Sequence, residues 1–218
     1  MRRAEAAPTL ILASGSPRRR ELLGRLGVRF EVVAPNLDEW APARHPRAER
    51  LARRLAREKA LAVAAVHPSS VVLAADTIVV QQGSLLAKPV DAEEARAMLE
   101  RLRGRDHRVI TGVVAARGSR VRVAHAVTHV RMRDYTSAEI DRYIARGEPF
   151  DKAGGYAIQD AEFSPVDRFT GCYCNVVGLP LALVIQLLDA IGFDVPVTVP
   201  SQLTPECPLC PLFRPLTP

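Results

Sequence analysis

Along this chain the apolar positions change period several times, and each change marks an element. Leu10 to Ala13 is an unbroken apolar run, short enough for one buried strand, and it stops at Ser14. A helix is expected from Pro17 to Leu26, with Ser16 as N-cap, Pro17 in the first turn and Gly27 just past the end. Val28, Phe30 and Val32 alternate with polar neighbours, the period of a half-buried strand. Beyond a loop carrying Asp38 and Glu39, the pattern predicts a long helix from about Arg47 to Val66, then a strand from Val71 to Val80. Gln82-Gly83 suits a turn, after which Leu85-Leu86 return as a short strand.

In the second half, Asp91 with Glu94 makes a capping-box pattern for a helix that ends at Gly104. Val109 to Ala116 and Val121 to Val130, joined by Arg117-Gly118-Ser119-Arg120, read as a hairpin. Thr136 and Glu139 cap another helix, closed by Gly147 and Pro149. A glycine-containing loop from Asp151 to Gln159 precedes a less regular stretch, then Asn175 to Pro180 and a final apolar helix, Leu181 to Ile191. Strands and helices interleave without strict βαβ order, and a hairpin falls between helices. That pattern predicts an α/β fold with a mixed, partly antiparallel sheet and flanking helices. Residues 1–8 read as a flexible N-terminus and 9–193 as one domain. Residues 194–218, where prolines recur every few positions, read as a proline-rich tail.

Composition narrows the class. A chain of 218 residues with 48% hydrophobic and 25% charged side chains buries a real core, which excludes disorder of the whole chain. No apolar stretch reaches the roughly 18 to 20 residues that span a bilayer. The start, Met1-Arg2-Arg3-Ala4-Glu5, lacks an apolar h-region, so a cytoplasmic protein without a membrane partner is expected. A formal net charge of +6 suits a polyanion, but only 5% aromatics supply few stacking platforms, which disfavours nucleic acid. Without a secretory signal, Cys172, Cys174, Cys207 and Cys210 argue against a disulfide framework. They are four free thiols or, less in keeping with the proline-rich setting of the second pair, zinc ligands. His125 and His129 are four apart, but on a strand pattern, so they do not make a helical metal pair.

Three places break local rules. Arg18, Arg19 and Arg20 sit in the first turn of a helix, whose N-terminal partial positive charge favours acids there. Either the arginines are solvated, or an anion docks on free N–H groups, the Ser14 and Ser16 hydroxyls and the guanidinium forks. There is no G-x-x-x-x-G-K-[ST], so this is not a P-loop. Lys59 falls in the apolar arc of its helix, between Leu51, Leu55, Ala62 and Val66 on one side and Ala52, Ala56 and Val63 on the other. It either snorkels or reaches into a site. Asp76 and Thr77 interrupt an otherwise apolar strand, and a buried carboxylate needs a partner or a metal, Mg²⁺ or Mn²⁺ for an oxygen ligand. A structural salt bridge is the other reading of Asp76. Lys88 before Pro89, and Asp151-Lys152 before Gly154-Gly155, are further candidates.

Taken in order, several segments resemble the Maf family of nucleotide pyrophosphatases. They are Leu12 to Arg19 with Glu21-Leu22-Leu23, Ala75 to Val79, Lys88-Pro89, Met98-Leu99 to Gly104, His107 to Thr111, Asp151 to Gln159, and Val177 to Pro180. The resemblance covers about Leu10 to Gly192. It implies a cytoplasmic, usually dimeric protein of two lobes around a central cleft, like the inosine triphosphatase fold. It also implies cleavage of a nucleoside triphosphate to monophosphate and pyrophosphate with a divalent cation. On this resemblance Arg18, Arg19, Lys59 and Lys88 bind the triphosphate with Ser14 and Ser16, beside Asp151 and Lys152. Asp76, helped by Glu39 or Asp38, holds Mg²⁺ or Mn²⁺ and positions water. Arg18, Thr77 and Gln159 are tied to nucleotide choice and are similar to the branch acting on dTTP and UTP. A modified nucleotide, or a regulator of cell division that binds without turnover, is the alternative. Two features depart from the family: Asp160 follows Gln159 where a glycine is common, and the tail with Cys207 and Cys210 lies outside it.

Overall fold

Strand β3 (Val71–Gln81) is the axis of the molecule, a computed structural model that describes residues 9–37 and 47–196. Around it lie β1 (Leu10–Leu12), β2 (Phe30–Val32), β4 (Ser84–Leu86), β5 (Asp106–Arg117), β6 (Arg120–Met132) and β7 (Val166–Thr170). They form one sheet of order β2-β1-β3-β5-β6-β7, with β4 paired to β3 as well. The β1 strand runs parallel to β2 and to β3, and every other pairing is antiparallel, so the sheet is mixed as expected.

The helices are α1 (Pro17–Gly24), α2 (Ala48–Val66), α3 (Ala92–Leu102), α4 (Ser137–Ala145), α5 (Tyr173–Val177) and α6 (Leu181–Asp189). Strand alternation sorts them onto two faces. Val72 and Ala74 pack with Ala56, Ala60 and Val63 of α2. Val71, Leu73 and Ala75 point the other way, into a core with Leu22 and Leu23 of α1 and Val184 and Leu188 of α6. Further along that second face, Val79 joins a separate core with Leu99 and Leu102 of α3 and Ile140 and Tyr143 of α4. Two helical layers therefore cover opposite ends of one sheet face, and Thr77 lies where they part.

The α2 helix approaches the sheet unusually closely. Ala52, Ala56 and Ala60 are fully buried against it, and a Cβ built on Gly112 would lie 2.3 Å from the Ala52 carbonyl oxygen. Gly112 pairs across strands with Asp76, so the glycine beside Asp76 is what lets α2 descend.

Two elements escape the sequence pattern. β7 is an edge strand with no buried residue, so no alternating burial marks it. The five-residue α5 is too short to show a period. The first helix also ends at Gly24 rather than Leu26, its last turn continuing only to Gly27 at φ 69°. Residues 1–8 and most of the expected tail, with Cys207 and Cys210, lie outside the described residues. Cys174 is buried and Cys172 half-buried.

Candidate functional site

The site follows from a gap in the sheet. On one edge β3 is held by β1 only at residues 71–73, and by β4 only at 79–81. Between these two partners the edge is open at Asp76 and Thr77. Successive residues of a strand point to opposite faces, so the two side chains reach the gap from two directions. A cleft of about 400 Å³ opens there. It is lined by every candidate residue that the described chain contains: Ser14, Ser16, Arg18, Arg19, Lys59, Asp76, Thr77, Lys88, Asp151, Lys152 and Gln159. Asp38 and Glu39 lie outside the described residues.

Two of the anomalies are partners. Lys59 Nζ donates to Asp76 Oδ1 at 2.6 Å, and both residues are buried. The structural reading of Asp76 is thus realised, but in the wall of the cleft rather than in the core. Removing either partner would strand a charge in a poorly solvated place.

At the other side of the gap, the first turn of α1 divides its arginines. Ser14 Oγ accepts from Ser16 N at 3.2 Å, and Ser16 Oγ accepts from Arg19 N at 3.4 Å, which holds the loop against the helix start. Arg19 turns inward: its Nε donates to Gly178 O at 2.9 Å, Nη1 to Ser14 Oγ at 3.3 Å and Nη2 to Thr77 Oγ1 at 3.1 Å. Gly178 has φ 119°, and a Cβ there would sit 3.3 Å from Thr77 Oγ1. Arg20 is exposed.

Arg18 reaches across the cleft mouth to Asp151, at 2.5 Å to Oδ2 and 3.2 Å to the backbone oxygen. Asp151 belongs to a 3₁₀ turn, Glu148–Asp151, and also accepts from Lys152 Nζ at 2.7 Å. Burial pushes the Asp151 carboxyl up, but the Lys152 and Arg18 hydrogen bonds outweigh it and hold it below the ordinary value. The loop that carries Gln159 is fastened behind by Asp160, which accepts from Phe163 N at 2.7 Å and pairs with Arg146 beside Glu162. Where the resemblance has a glycine, this chain therefore has an ion-paired turn. Among the described residues, five cationic side chains face two carboxylates around the cleft, and neither histidine nor cysteine lines it.

Sequence reasoning missed the residues behind the lining. Tyr156 lines the cleft, and its hydroxyl meets His107 Nε2 at 2.7 Å in a buried pair. Thr111 and Asn175, both fully buried, support Thr77 from below. The signal for Thr111 was available: it is the lone polar side chain in the run Val109 to Ala116, the same irregularity that picked out Asp76.

His107 gives a pH prediction. Burial depresses its imidazole from 6.5 to about 4, against a smaller upward pull from Asp106. The unfolded chain takes up this proton near pH 6.5 and the folded chain only near pH 4, so the unfolded state binds more protons in that window. Stability is therefore full above pH 6.5 and falls toward pH 4, by up to about 3 kcal/mol from this group. Urea unfolding across that range should show the slope, and His107→Gln should flatten it.

The profile of the family described as Maf-like protein matches residues 9–191. A protein of Thermomicrobium roseum named dTTP/UTP pyrophosphatase is 57% identical over 206 residues, 94% of each chain. Proteins of the same name from Symbiobacterium thermophilum and Deinococcus radiodurans are 47% and 49% identical, over 85% and 87% of this chain and 95% and 96% of their own.

Proposed function

The chain belongs to the Maf-like protein family, and on that footing we propose that it hydrolyses nucleoside triphosphates, above all dTTP and UTP, to the nucleoside monophosphate and pyrophosphate. The activity clears these nucleotides from the cellular pool. The observation that carries the reading is the cleft itself: among the described residues, five cationic side chains surround one buried carboxylate, Asp76. Such a charge pattern suits a polyphosphate. The names of relatives 43–57% identical to this chain supply the bases.

In this reading Arg19, Ser14 and Ser16 grip phosphate, Lys59 and Lys88 neutralise it, and Arg18 and Gln159 face the base. Asp76 Oδ1 is engaged by Lys59, while Oδ2 is left to take a proton from the attacking water or to accept a metal bond. Water adds to the α-phosphorus, the bond from that phosphorus to the bridging oxygen breaks, and the oxygen leaves with the pyrophosphate. Lys59 and Lys88 stabilise the charge that gathers on it.

A divalent cation fits this donor set. Mg²⁺ is commonly held by one or two carboxylates together with substrate phosphates rather than by a cage of protein ligands. Among the described residues no three His, Cys, Asp or Glu side chains cluster; in this reading Asp76, helped by Glu39 or Asp38, would hold the ion together with the nucleotide's own oxygens. When bound, Mg²⁺ or Mn²⁺ supplies charge neutralisation and an acidified water. The proposal extends to a cytoplasmic homodimer, which the family resemblance implies. Among the described residues no helix is long and apolar enough to cross a membrane.

The test is pyrophosphate release from a panel of natural and modified triphosphates with Mg²⁺ or Mn²⁺. Turnover of dTTP and UTP at least about tenfold above the purine nucleotides is expected, with loss on chelation. Preference for a modified nucleotide would replace the substrate assignment, and tight nucleotide binding with no release would replace the enzyme by a regulator.

A further inference from the structure

The hydrogen bonds beneath Thr77 have a direction that the chemistry of their atoms dictates. Thr111 Oγ1 lies 2.9 Å from the backbone oxygen of Asn175, and a carbonyl oxygen can only accept, so the single Thr111 hydroxyl hydrogen points there. Thr77 Oγ1 lies 2.9 Å from Thr111 Oγ1. With the Thr111 hydrogen already engaged, Thr77 must be the donor in that pair. The Thr77 hydrogen is therefore turned inward as well, and its oxygen faces Arg19 Nη2, at 3.1 Å, with lone pairs alone.

The far end of this chain of bonds is equally determined. Asn175 Nδ2 donates to Val109 O at 3.0 Å and to Thr128 Oγ1 at 2.8 Å. Thr128 accepts there because its own hydrogen goes to Cys172 O at 3.1 Å, while Cys172 N also donates to it at 3.0 Å. A flipped amide would set Asn175 Oδ1 against a carbonyl oxygen, so only one orientation satisfies the neighbours. Thr111, Thr128 and Asn175 are all fully buried, where an unmade bond is costly. The backbone of α5 and its C-cap thus holds Arg19 twice: directly through Gly178 O at 2.9 Å, and indirectly from Asn175 through the two threonines.

We propose that Thr111 is a positioning residue for the cleft: by taking the Thr77 hydrogen it turns Thr77 into a fixed acceptor that aims the Arg19 guanidinium at the bound phosphates. The inference rests on the reading of the cleft as a triphosphate site. Without the Thr111 hydroxyl, the Thr77 hydrogen loses its fixed acceptor and the Thr77 hydroxyl is free to rotate, so its lone pairs are no longer held toward Arg19 Nη2. Arg19 then keeps Gly178 O and Ser14 Oγ but loses the fixed direction of its third acceptor, although no residue lining the cleft has changed.

The experiment compares Thr111→Val, Thr111→Ser and Thr77→Val in the full chain with UTP and Mg²⁺. Thr111→Val should raise KM about tenfold with little change in kcat, the mark of lost binding common to ground and transition states. Thr111→Ser, which keeps the hydroxyl, should restore KM. In the Thr77→Val background the Thr111→Val change should add less than about twofold, because the two act as one chain. Thr111→Cys, with a weak S–H donor, is expected to fall between valine and serine and serves should the valine variant not fold. A Thr111→Val protein that only unfolds at lower temperature, with KM intact, overturns the proposal, as do independent effects of the two threonines. The same variants are titrated with inorganic tripolyphosphate. If wild type releases no pyrophosphate, the hydrolase reading fails, and the positioning role stands or falls on whether Thr111→Val weakens tripolyphosphate binding and Thr111→Ser restores it.

Discussion

Asp76→Asn is expected to lower turnover of UTP about a thousandfold while leaving a cooperatively folding protein. The side chain keeps its shape and one acceptor oxygen for Lys59 Nζ, now 2.6 Å from Oδ1. It loses the negative charge that would accept the proton of the attacking water or bind a cation. The same change leaves the Lys59 ammonium beside a neutral amide, with both side chains almost covered. Breaking a buried pair in this way costs on the order of 3 kcal/mol, less where the cleft admits water. The two consequences separate in a second variant: Lys59→Met with Asp76→Asn should recover most of the lost stability and none of the activity. Pyrophosphate release and thermal unfolding, measured side by side, check both. A folded Asp76→Asn protein with full turnover would remove Asp76 from the chemistry and leave it a structural ion pair.

Gly112→Ala should be the most damaging single methyl in the protein. The added carbon would lie 2.3 Å from the Ala52 oxygen, 2.4 Å from its carbonyl carbon and 2.7 Å from Arg53 N, all of them backbone atoms that no rotamer change can move. The helix α2 must then shift off the sheet, and overpacking of this kind costs about 3 kcal/mol. For a chain of this length that corresponds to a melting point lower by about 6 to 12 °C. Activity should fall further than stability, since α2 carries Lys59 and Gly112 pairs directly with Asp76. Crowding at Gly112 therefore separates the Lys59–Asp76 pair in the wall of the cleft. Calorimetry and UTP turnover test this together, and an unchanged melting point would show that α2 has slack the close contact hides.

Both predictions concern residues that stand differently in the sequence. Asp76 was conspicuous because a carboxylate interrupts ten residues of apolar strand, and burial logic alone asks what holds it. Lys59 was conspicuous for the matching reason on a helix. That they answer one another could not be read, since seventeen positions and the turn from helix α2 into strand β3 separate them. Gly112 carried no signal at all: a glycine in a strand marks a close approach only once the approaching helix is known. The tie between Arg146 and Asp160 was likewise invisible, because each residue alone is an ordinary surface charge.

Taken by itself, the order of residues determined the elements, their caps and the two-faced character of β3, because these follow from backbone geometry within a few residues. Apolar period distinguishes helix from strand, Ser16, Asp91 and Thr136 mark helix starts by accepting backbone N–H groups, and neighbours such as Asp76 and Thr77 must point to opposite faces. Only the tertiary structure decided where the cleft lies. Its position depends on β1 and β4 each pairing with three residues of β3 and leaving the middle open. That register is set by the two cores buried at opposite ends of the sheet, the sum of many contacts between residues far apart in the chain, and no local pattern contains such a sum.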